Sequence, residues 1–561
     1  MVFRRPAPLV AAASPLTTEV AMRSITESRR GPQPLGRTLS EACFSKAAPF
    51  GSPPGAPRPR ASGAAPVLES AFPRMRYPDL AIIVVYLVGI TLFGARFRRT
   101  QKSLRDYFLG GKQAPWWAIA LSIVSAETST LTIIGTPALS FAGNLGFLQV
   151  VFGYLLARLV IALLLLPHYF RGEMYTAYEL IERRFGPHLR KLTAGAFLLI
   201  RSLAEGVRVF AISIVVSVVL GTGEVASILL IVCLTLFYTF EGGMTAVIWT
   251  DVVQMCLYVL GALLSFAVIL QQIPGGWSEV AAAAAAAGKF RLFDFDLELS
   301  ARFFSRTYTF WAGLIGGCFL TTASHGTEQL MVQRLLAARS QKESRAALLA
   351  SWVVIFVQFT LFLLIGILLW VYHRGGSAPP PAVLDRIYPE FVWRFLPPGL
   401  AGLVVAAILA AAMANLSAAL NSLASTTVMD FFRPIAAGRG QRELSPSGYL
   451  RLARWATVLW GVVLVGIGIL ARRWGSVLEA GLSIASVVYG ALLGVFLLGV
   501  LTRRVGPRAA AAGMLAGLAV MLYVKLFTSI AWTWYVVIGA GATFFIGRLL
   551  SWPAREGLRG E

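Results

Sequence analysis

The chain has 561 residues, of which 57% are hydrophobic and 14% are charged, and its mean hydropathy is +0.70. Soluble domains carry roughly 25% charged residues, so this composition excludes an ordinary soluble protein and indicates one that crosses a membrane many times. The formal net charge is +23, but the basic residues lie mainly between the apolar runs, which is typical of membrane topology and argues against a nucleic-acid partner.

The N-terminal residues 1–74 are rich in Pro, Ala, Ser and Arg, and they contain no apolar run long enough for a signal-peptide core. We predict that they are disordered. Met75 stands just before the first apolar run, so we expect it to be the natural start and residues 1–74 to be a misassigned extension. A genuine but unstructured tail is the alternative. The transmembrane domain is then expected over residues 75–552, with a short cytoplasmic tail over residues 553–561.

Apolar runs of about 18 or more residues predict about thirteen membrane-spanning helices. In chain order, the predicted spans lie at residues 79–95, 116–141, 145–167, 190–220, 224–240, 246–270, 308–335, 346–372, 398–430, 450–471, 478–501, 510–528 and 530–550. The loop after the first span and several later loops are basic, whereas alternate short loops, such as residues 142–145 and 222–224, carry no Lys or Arg. This bias predicts an N-terminus outside the cell and a C-terminus in the cytoplasm.

The second predicted span, residues 116–141, has polar residues at its centre. They are Ser125, Glu127, Thr128, Ser129, Thr130 and Thr132, and Gly135-Thr136-Pro137 follows them. Such groups cost free energy in hydrocarbon and normally face a bundle interior or a wet cavity. A proline step inside a span also frees backbone groups, which a bound solute or ion can satisfy. We therefore interpret the second span as a broken helix at a binding site, a design found in secondary transporters.

Two further spans contain charged residues. Arg201, Glu205 and Arg208 follow each other at spacings of four and three residues on one predicted helix, so they can pair with each other. The alternative is that one arginine reaches Glu127 or an anionic solute. Asp251 lies a little more than two helical turns into a span that begins at a pair of glycines. At that depth a carboxylate needs a partner or a cation.

The seventh predicted span repeats the polar pattern of the second. Thr321, Thr322, Ser324 and His325 precede Gly326. Each of these two interrupted spans opens a block of five spans. That arrangement indicates an inverted repeat with a central binding site between its halves.

Four segments resemble, in order and spacing, the signatures of the sodium:solute symporter family. They are YFLGGKQAPWWAIALSIVSAETSTLTIIGTPAL, EGGMTAVIWTDVVQ, HGTEQLMVQRLLAARSQKES and AAAMANLSAALNSLASTTVMDFF, and the similarity covers roughly residues 77–505. The family includes sugar, proline, pantothenate, iodide and monocarboxylate carriers. The resemblance implies an all-α protein of the LeuT-type fold, with two inverted five-helix repeats in spans two to six and seven to eleven. It also implies alternating access driven by a sodium gradient, with no cofactor besides that coupling ion.

In the family, sodium lies between the second and ninth spans, held by backbone carbonyls and by two adjacent hydroxyl residues. Matching the motifs places the carbonyl donors at Ser125, Thr128 and Ala411 and the hydroxyl pair at Ala414 and Asn415. This pair departs from the family pattern, because Ala414 has no side-chain oxygen. The amide oxygen of Asn415 can still serve a hard cation, since such ions accept oxygen ligands of any neutral or anionic kind.

Two carboxylates, Glu127 and Asp251, are further candidates for binding the cation or a proton. Glu127 lies between two of the expected carbonyl donors, where it compensates for the missing hydroxyl or carries a proton itself; a salt bridge to Arg201 or Arg208 is the alternative. Asp251 matches the aspartate of the family's GGxxAVxxTDxxQ signature, which is linked to the cytoplasmic exit route of the cation.

The solute position that the resemblance implies is small and rich in hydroxyl groups. Thr132, Thr321, Ser324 and His325 line it. Where the family's sugar carriers have a Gln and a Lys, this chain has Thr132 and Ile355, so a sugar bound in that manner is not expected. A small polar organic solute, either a carboxylate or an amino acid, suits these donors better.

The leading interpretation is a sodium-coupled symporter of a small solute, embedded in the lipid bilayer of a bacterial cytoplasmic membrane. A proton-coupled or sodium-independent carrier of the same fold is the alternative. A membrane solute sensor is a distant alternative, because it needs a signalling region beyond the last span. A membrane enzyme needs a catalytic pair or a metal cluster, and the sequence indicates neither.

Overall fold

In hydrocarbon every backbone N–H and C=O has to be satisfied within the protein, so a chain of this apolarity is expected to fold into helices. The computed structural model describes residues 77–551, apart from 221, 298–300, 377–378, 382–383, 439–443 and 472–476. Within these residues the chain forms helices and no β-strand, which confirms the all-α prediction. The N-terminal extension, Met75 and the C-terminal tail lie outside the described residues.

The structure contains 21 α-helices in its described part. The helices of the first half are α1 (Tyr77–Ala95), α2 (Leu104–Leu109), α3 (Trp116–Glu127), α4 (Thr130–Ala142), α5 (Leu148–Val160), α6 (Leu166–Tyr169), α7 (Tyr178–Phe185), α8 (Pro187–Leu220), α9 (Glu224–Gln271) and α10 (Gly276–Ala286). Those of the second half are α11 (Ala301–Ser305), α12 (Gly317–Gly326), α13 (Gln329–Leu336), α14 (Gln341–Arg374), α15 (Ile387–Phe395), α16 (Leu400–Thr426), α17 (Arg433–Gly438), α18 (Pro446–Ala471), α19 (Val477–Leu501), α20 (Pro507–Phe527) and α21 (Tyr535–Leu549).

Shorter helical turns connect several of these helices. Turns of π-helix lie at Ile161–Leu165, Ala312–Gly316 and Thr427–Phe432. Turns of 3₁₀-helix lie at Arg96–Thr100, Gly110–Lys112, Leu145–Phe147, Leu384–Arg386 and Trp532–Trp534.

Seven helices in the described residues are long and apolar enough to cross a membrane, and the bent pair α3–α4 raises this number to eight. The multi-pass architecture predicted from composition is therefore confirmed. The thirteen crossings stay a prediction.

The longest helix, α9, is divided by a kink at Gly243. This residue has φ +53° and ψ −150°, a conformation that costs a residue with a Cβ atom considerable strain. A Cβ atom there would also lie 2.7 Å from the carbonyl oxygen of Tyr107. The kink lies at the paired glycines where the span that carries Asp251 was predicted to begin, and it separates the fifth predicted span from the sixth.

The centre of the bundle is α16. The span that begins with α16 is 89% buried inside the protein over its most apolar stretch. The many alanines of α16 allow neighbouring helices to approach closely. Helices α1, α8, α9 and α18 pack against it. The broken pair α3–α4 lies beside it and also contacts α14, so the residues at the break are enclosed on several sides.

Helix α1 holds the beginning of α16. One carboxylate oxygen of Asp79 accepts hydrogen bonds from the backbone N–H groups of Gly399 (2.7 Å) and Gly402 (2.8 Å). A Cβ atom on Gly402 would lie 2.5 Å from the Cα atom of Asp79. Asp79 is therefore the cap of α16 and sits in direct backbone contact with it.

Helix α14 approaches α4 closely at Gly366. A Cβ atom on Gly366 would lie 2.1 Å from both the carbonyl oxygen of Pro137 and Oγ of Ser140. The carbonyl oxygen belongs to the backbone and has little room to shift, so only glycine fits here.

We expect the substitution Gly366→Ala to lower the free energy of unfolding by about 1–3 kcal/mol, the usual cost of overpacking a filled contact. The measurement is the Tm of the purified protein in detergent. Gly466→Ala is the matched control, because a Cβ atom on Gly466 of α18 has no neighbour within 4 Å. A Gly366→Ala variant as stable as this control would contradict the contact.

Candidate functional site

The second predicted span is broken between α3 and α4. The two halves meet at an angle of 65°, and Thr128 and Ser129 have extended backbone conformations between them. Oγ of Ser129 accepts from the N–H of Thr132, and Oγ1 of Thr132 accepts from the N–H of Ser129. This reciprocal capping box starts α4.

The break does not lie at the Gly-x-Pro step. Pro137 is inside α4, so the expectation that this step interrupts the span is wrong. The reason is local, because Ser129 offers a new helix its N-terminal cap eight residues earlier in the chain. The N–H of Ser129, which would otherwise bond to the carbonyl of Ser125, is used by Thr132.

The seventh predicted span is broken in the same way between α12 and α13. Thr327 and Glu328 separate the halves, and the side chain of Glu328 does not cap α13. It accepts instead from Nη1 of Arg201 (3.2 Å) and from the hydroxyl of Tyr489 (2.7 Å). Both interrupted spans predicted from the sequence are therefore confirmed as broken helices.

The charged group on α8 is paired as its spacing predicts. Glu205 contacts Arg201 at 3.0 Å and Arg208 at 3.2 Å. Neither arginine reaches Glu127, so the alternative salt bridge is wrong. The partner of Arg201 outside its own helix is Glu328.

Glu127, the last residue of α3, pairs with a residue that the sequence analysis missed. Nη2 of Arg158 on α5 lies 2.6 Å from Oε2 of Glu127. Nε2 of His325 on α12 lies 3.3 Å from the same oxygen, and its Nδ1 lies 2.9 Å from Oγ of Ser324. The C-terminal ends of α3 and α12, the first halves of the two broken spans, therefore meet at the Glu127 carboxylate.

Among the candidate residues that the sequence analysis missed, Arg158 has the clearest signal in the sequence. Its side chain is fully buried, and its Nε donates to Oγ of Ser351 on α14. It stands alone within an otherwise apolar run. A charge in that position normally faces the bundle interior and has a specific partner, so the sequence alone could have identified it.

The expected cation donors are brought together in part. Nδ2 of Asn415 donates to the carbonyl oxygen of Thr128 (2.7 Å) and to that of Ala411 (3.2 Å). Ala414 is buried in the same helix but offers no side-chain oxygen. Asn415 thus reaches the expected position, although its nitrogen and not its oxygen faces the carbonyls.

Buried oxygens without a hydrogen-bond partner among the described residues surround this break. They are Oγ of Ser125, Oγ1 of Thr130 and Oε1 of Gln358. Nε2 of Gln358 donates to Oγ1 of Thr128 (2.7 Å). Unpaired buried oxygens are costly unless water, an ion or a solute satisfies them, so the region is suited to hold a polar ligand.

Asp251 has the partner that its depth requires. Its Oδ2 accepts from Nη2 of Arg334 (2.8 Å) and from Oγ of Ser122 (2.5 Å). All three residues are buried. This cluster joins α3, α9 and α13, that is, the first half of one broken span to the second half of the other.

A small cleft lies beside the first break. The polar residues that line it are Ser129, Thr130, Asn415, Glu205 and Arg208. The four predicted solute residues do not line this cleft. Thr132 is engaged in the capping box, Thr321 is buried, and Ser324 and His325 lie beside Glu127, so the predicted solute pocket stays a prediction.

Comparisons with known proteins agree with this architecture. The sequence model of the sodium:solute symporter family matches residues 107–517. The human sodium/iodide cotransporter is 28% identical, with 80% of this chain and 69% of that protein covered. The sodium/sialic acid symporter SiaT of Proteus mirabilis is 27% identical, with 85% of this chain and 96% of that protein covered.

A solved structure shows the same fold. It is the substrate-bound outward-open state of a sodium-coupled sialic acid symporter, with a TM-score of 0.76 and 26% identity. The match covers 85% of this chain and 98% of that chain. The LeuT-type architecture implied by the sequence motifs is thereby confirmed.

We expect Glu127→Gln to destabilise the protein by about 3–5 kcal/mol, because it leaves the buried guanidinium of Arg158 without its counter-charge. The measurement is the Tm in detergent, combined in a double-mutant cycle with Arg158→Gln. The double variant should be more stable than Glu127→Gln alone. Glu173→Gln is the control, since its pair with Arg105 is exposed and exposed pairs contribute about 0–1 kcal/mol. Equal effects of the Glu127 and Glu173 changes would contradict the pairing.

Proposed function

Because the chain belongs to the sodium:solute symporter family, we propose that it uses a sodium gradient to carry a small polar solute with a carboxylate group into the cell by alternating access. Its relatives are membrane carriers and not enzymes, and the family implies sodium as the coupling ion with no cofactor. The observation that supports the proposal best is the 3.3 Å contact of Glu127 with His325. Two broken helices meet there, which is where secondary transporters bind their cargo.

The solute class follows from the groups at this meeting point. Glu127 offers a carboxylate to a solute ammonium group. Nε2 of His325 offers a donor to a solute carboxylate, the buried charge of Arg158 lies behind Glu127, and the N-terminus of α4 adds a favourable dipole. An amino acid or a small carboxylate uses these groups better than a sugar does. The predicted solute residues Thr132, Thr321 and Ser324 are proposed to supply hydroxyl groups to the same solute.

The coupling ion is proposed to bind between the first break and α16. The carbonyls of Ser125 and Thr128 at the break and of Ala411 on α16 are the donors, and Ala414 and Asn415 lie one helical turn beyond Ala411 on α16. Sodium at this position stabilises one state of the contact between the two helices and thereby favours the solute site that the same break forms. A membrane potential of about 100 mV adds roughly 2.3 kcal/mol per sodium carried inward.

We further propose that Asp251 acts on the cytoplasmic side of this route, through its cluster with Arg334 and Ser122. The transport domain is proposed to extend over residues 75–552, with Met75 as the start. Its N-terminus lies outside and its C-terminus in the cytoplasm of a bacterial cell.

Proton coupling through Glu127 and His325 is the second candidate function, and the orientation of the Asn415 amide favours it.

The experiment that tests the function is a thermal-shift screen of the purified protein against small carboxylates, amino acids and sugars. Each solute is measured in sodium and in potassium at equal ionic strength, because a specific ligand raises the Tm by mass action. Hits are then tested for uptake into proteoliposomes. A carboxylate or amino acid whose shift needs sodium supports the proposal. Equal shifts in both salts favour proton coupling, and a response to sugars alone would refute the solute class.

A variant tests the solute site separately. We expect His325→Ala to raise the solute concentration for half-maximal uptake on the order of ten-fold, the cost of one hydrogen bond to a charged group. The sodium concentration for half-maximal uptake, measured with solute saturating for each variant, should stay unchanged. His188→Ala is the control, because His188 is exposed at the start of α8. A shift in the sodium response without a shift in the solute response would place His325 elsewhere in the cycle.

A further inference from the structure

The amide of Asn415 has a defined orientation. Both atoms that its nitrogen contacts are backbone carbonyl oxygens, at 2.7 Å on Thr128 and 3.2 Å on Ala411. Carbonyl oxygens only accept hydrogen bonds, so a reversed amide would place oxygen against oxygen. The nitrogen therefore stands between the break and α16, with its N–H groups directed at the two carbonyls.

An amide in this position and a cation exclude each other. Both present positive charge to the same two carbonyl oxygens, and a hard cation needs such oxygens at roughly 2.3–2.6 Å. The site has little room for both, because Asn415 is 2% exposed and Ala411 and Ala414 are fully buried. Sodium can reach these carbonyls only after the amide has left them.

The Asn415 side chain also borders a cleft toward which the displaced amide would move. Asn415 lines the cleft beside the first break, together with Thr130 and Ser129. Oγ1 of Thr130 is a buried oxygen without a hydrogen-bond partner among the described residues. Because both residues line the same cleft, Thr130 is the acceptor toward which a displaced Asn415 amide would turn.

We propose that the Asn415 side chain is a tethered competitor of sodium, which holds the cation-binding carbonyls in the absence of the ion and has to be displaced when sodium binds. The inference rests on the proposed sodium-coupled function and adds a determinant of ion affinity to it. It follows that the contact between the break and α16 persists without sodium. It also follows that the protein needs a higher sodium concentration than it would with an oxygen ligand at this position.

The test is a sodium titration of variants that keep or remove the donor. Asn415→Asp has the same shape but replaces the N–H groups with a carboxylate oxygen, and Asn415→Ala removes the donor without adding a ligand. We expect both to lower the sodium concentration for half-maximal uptake, on the order of ten-fold, since two buried hydrogen bonds no longer compete with the ion. The rise of Tm with sodium, measured without solute, should shift to the same lower concentrations.

Asn421→Asp is the matched control. Asn421 is a buried asparagine on the same helix, and its Nδ2 contacts Sδ of Met244 and no carbonyl of the break. Its change should leave both sodium midpoints where they are in the wild type.

Two outcomes would overturn the inference. One is an Asn415→Ala variant whose sodium midpoint is not lowered. A higher midpoint would mean that the change removed an oxygen ligand, and an unchanged midpoint would mean that it removed no competitor. The other is an Asn415→Asp variant whose Tm and uptake ignore sodium. A wild type that takes up solute without any response to sodium, beside an Asn415→Asp variant that gains one, would support the competitor and refute sodium coupling of the natural protein.

Discussion

A polar group inside this bundle has to find its partner within the protein, and that requirement explains most of the features described above. Each break in a helix leaves backbone groups without their usual partners. At the first break, Ser129 and Thr132 satisfy one side through the capping box, and Asn415 satisfies the other side from α16. The break is therefore a stable part of the fold and not a local distortion. The buried oxygens beside it that lack a hydrogen-bond partner among the described residues can bind an ion or a solute.

The same requirement decides where the buried charges lie. Glu127 pairs with Arg158, Asp251 with Arg334, and Asp430 with Arg190, and each pair joins different helices. Such pairs contribute little net stability compared with apolar side chains of the same volume. They do specify which helices lie together, because a shifted neighbour would leave a charge alone in a medium of low dielectric constant.

The sequence predicted the class of fold, the two broken spans and the family from composition and local motifs. These properties depend on residues that are close together in the chain, such as Thr321 to Gly326. The partners of the buried charges could not be predicted in the same way. Arg158 follows Glu127 by 31 positions and Arg334 follows Asp251 by 83, so their contacts depend on how the helices pack. The orientation of the Asn415 amide likewise depends on a carbonyl from another helix, and the motif match alone suggested the opposite end of the side chain.

Because Asp79 caps α16, helix α1 is needed to hold the beginning of α16 in place. Helix α1 precedes the first of the two repeats, and by repeat symmetry it would count as an accessory element. However, the helix that carries Ala411 and Asn415 begins with N–H groups that α1 satisfies. A truncated protein that starts at the first repeat would lose this anchor and allow the start of α16 to fray, whereas a chain that starts at Met75 retains it. The smallest autonomous carrier is therefore larger than its internal symmetry implies.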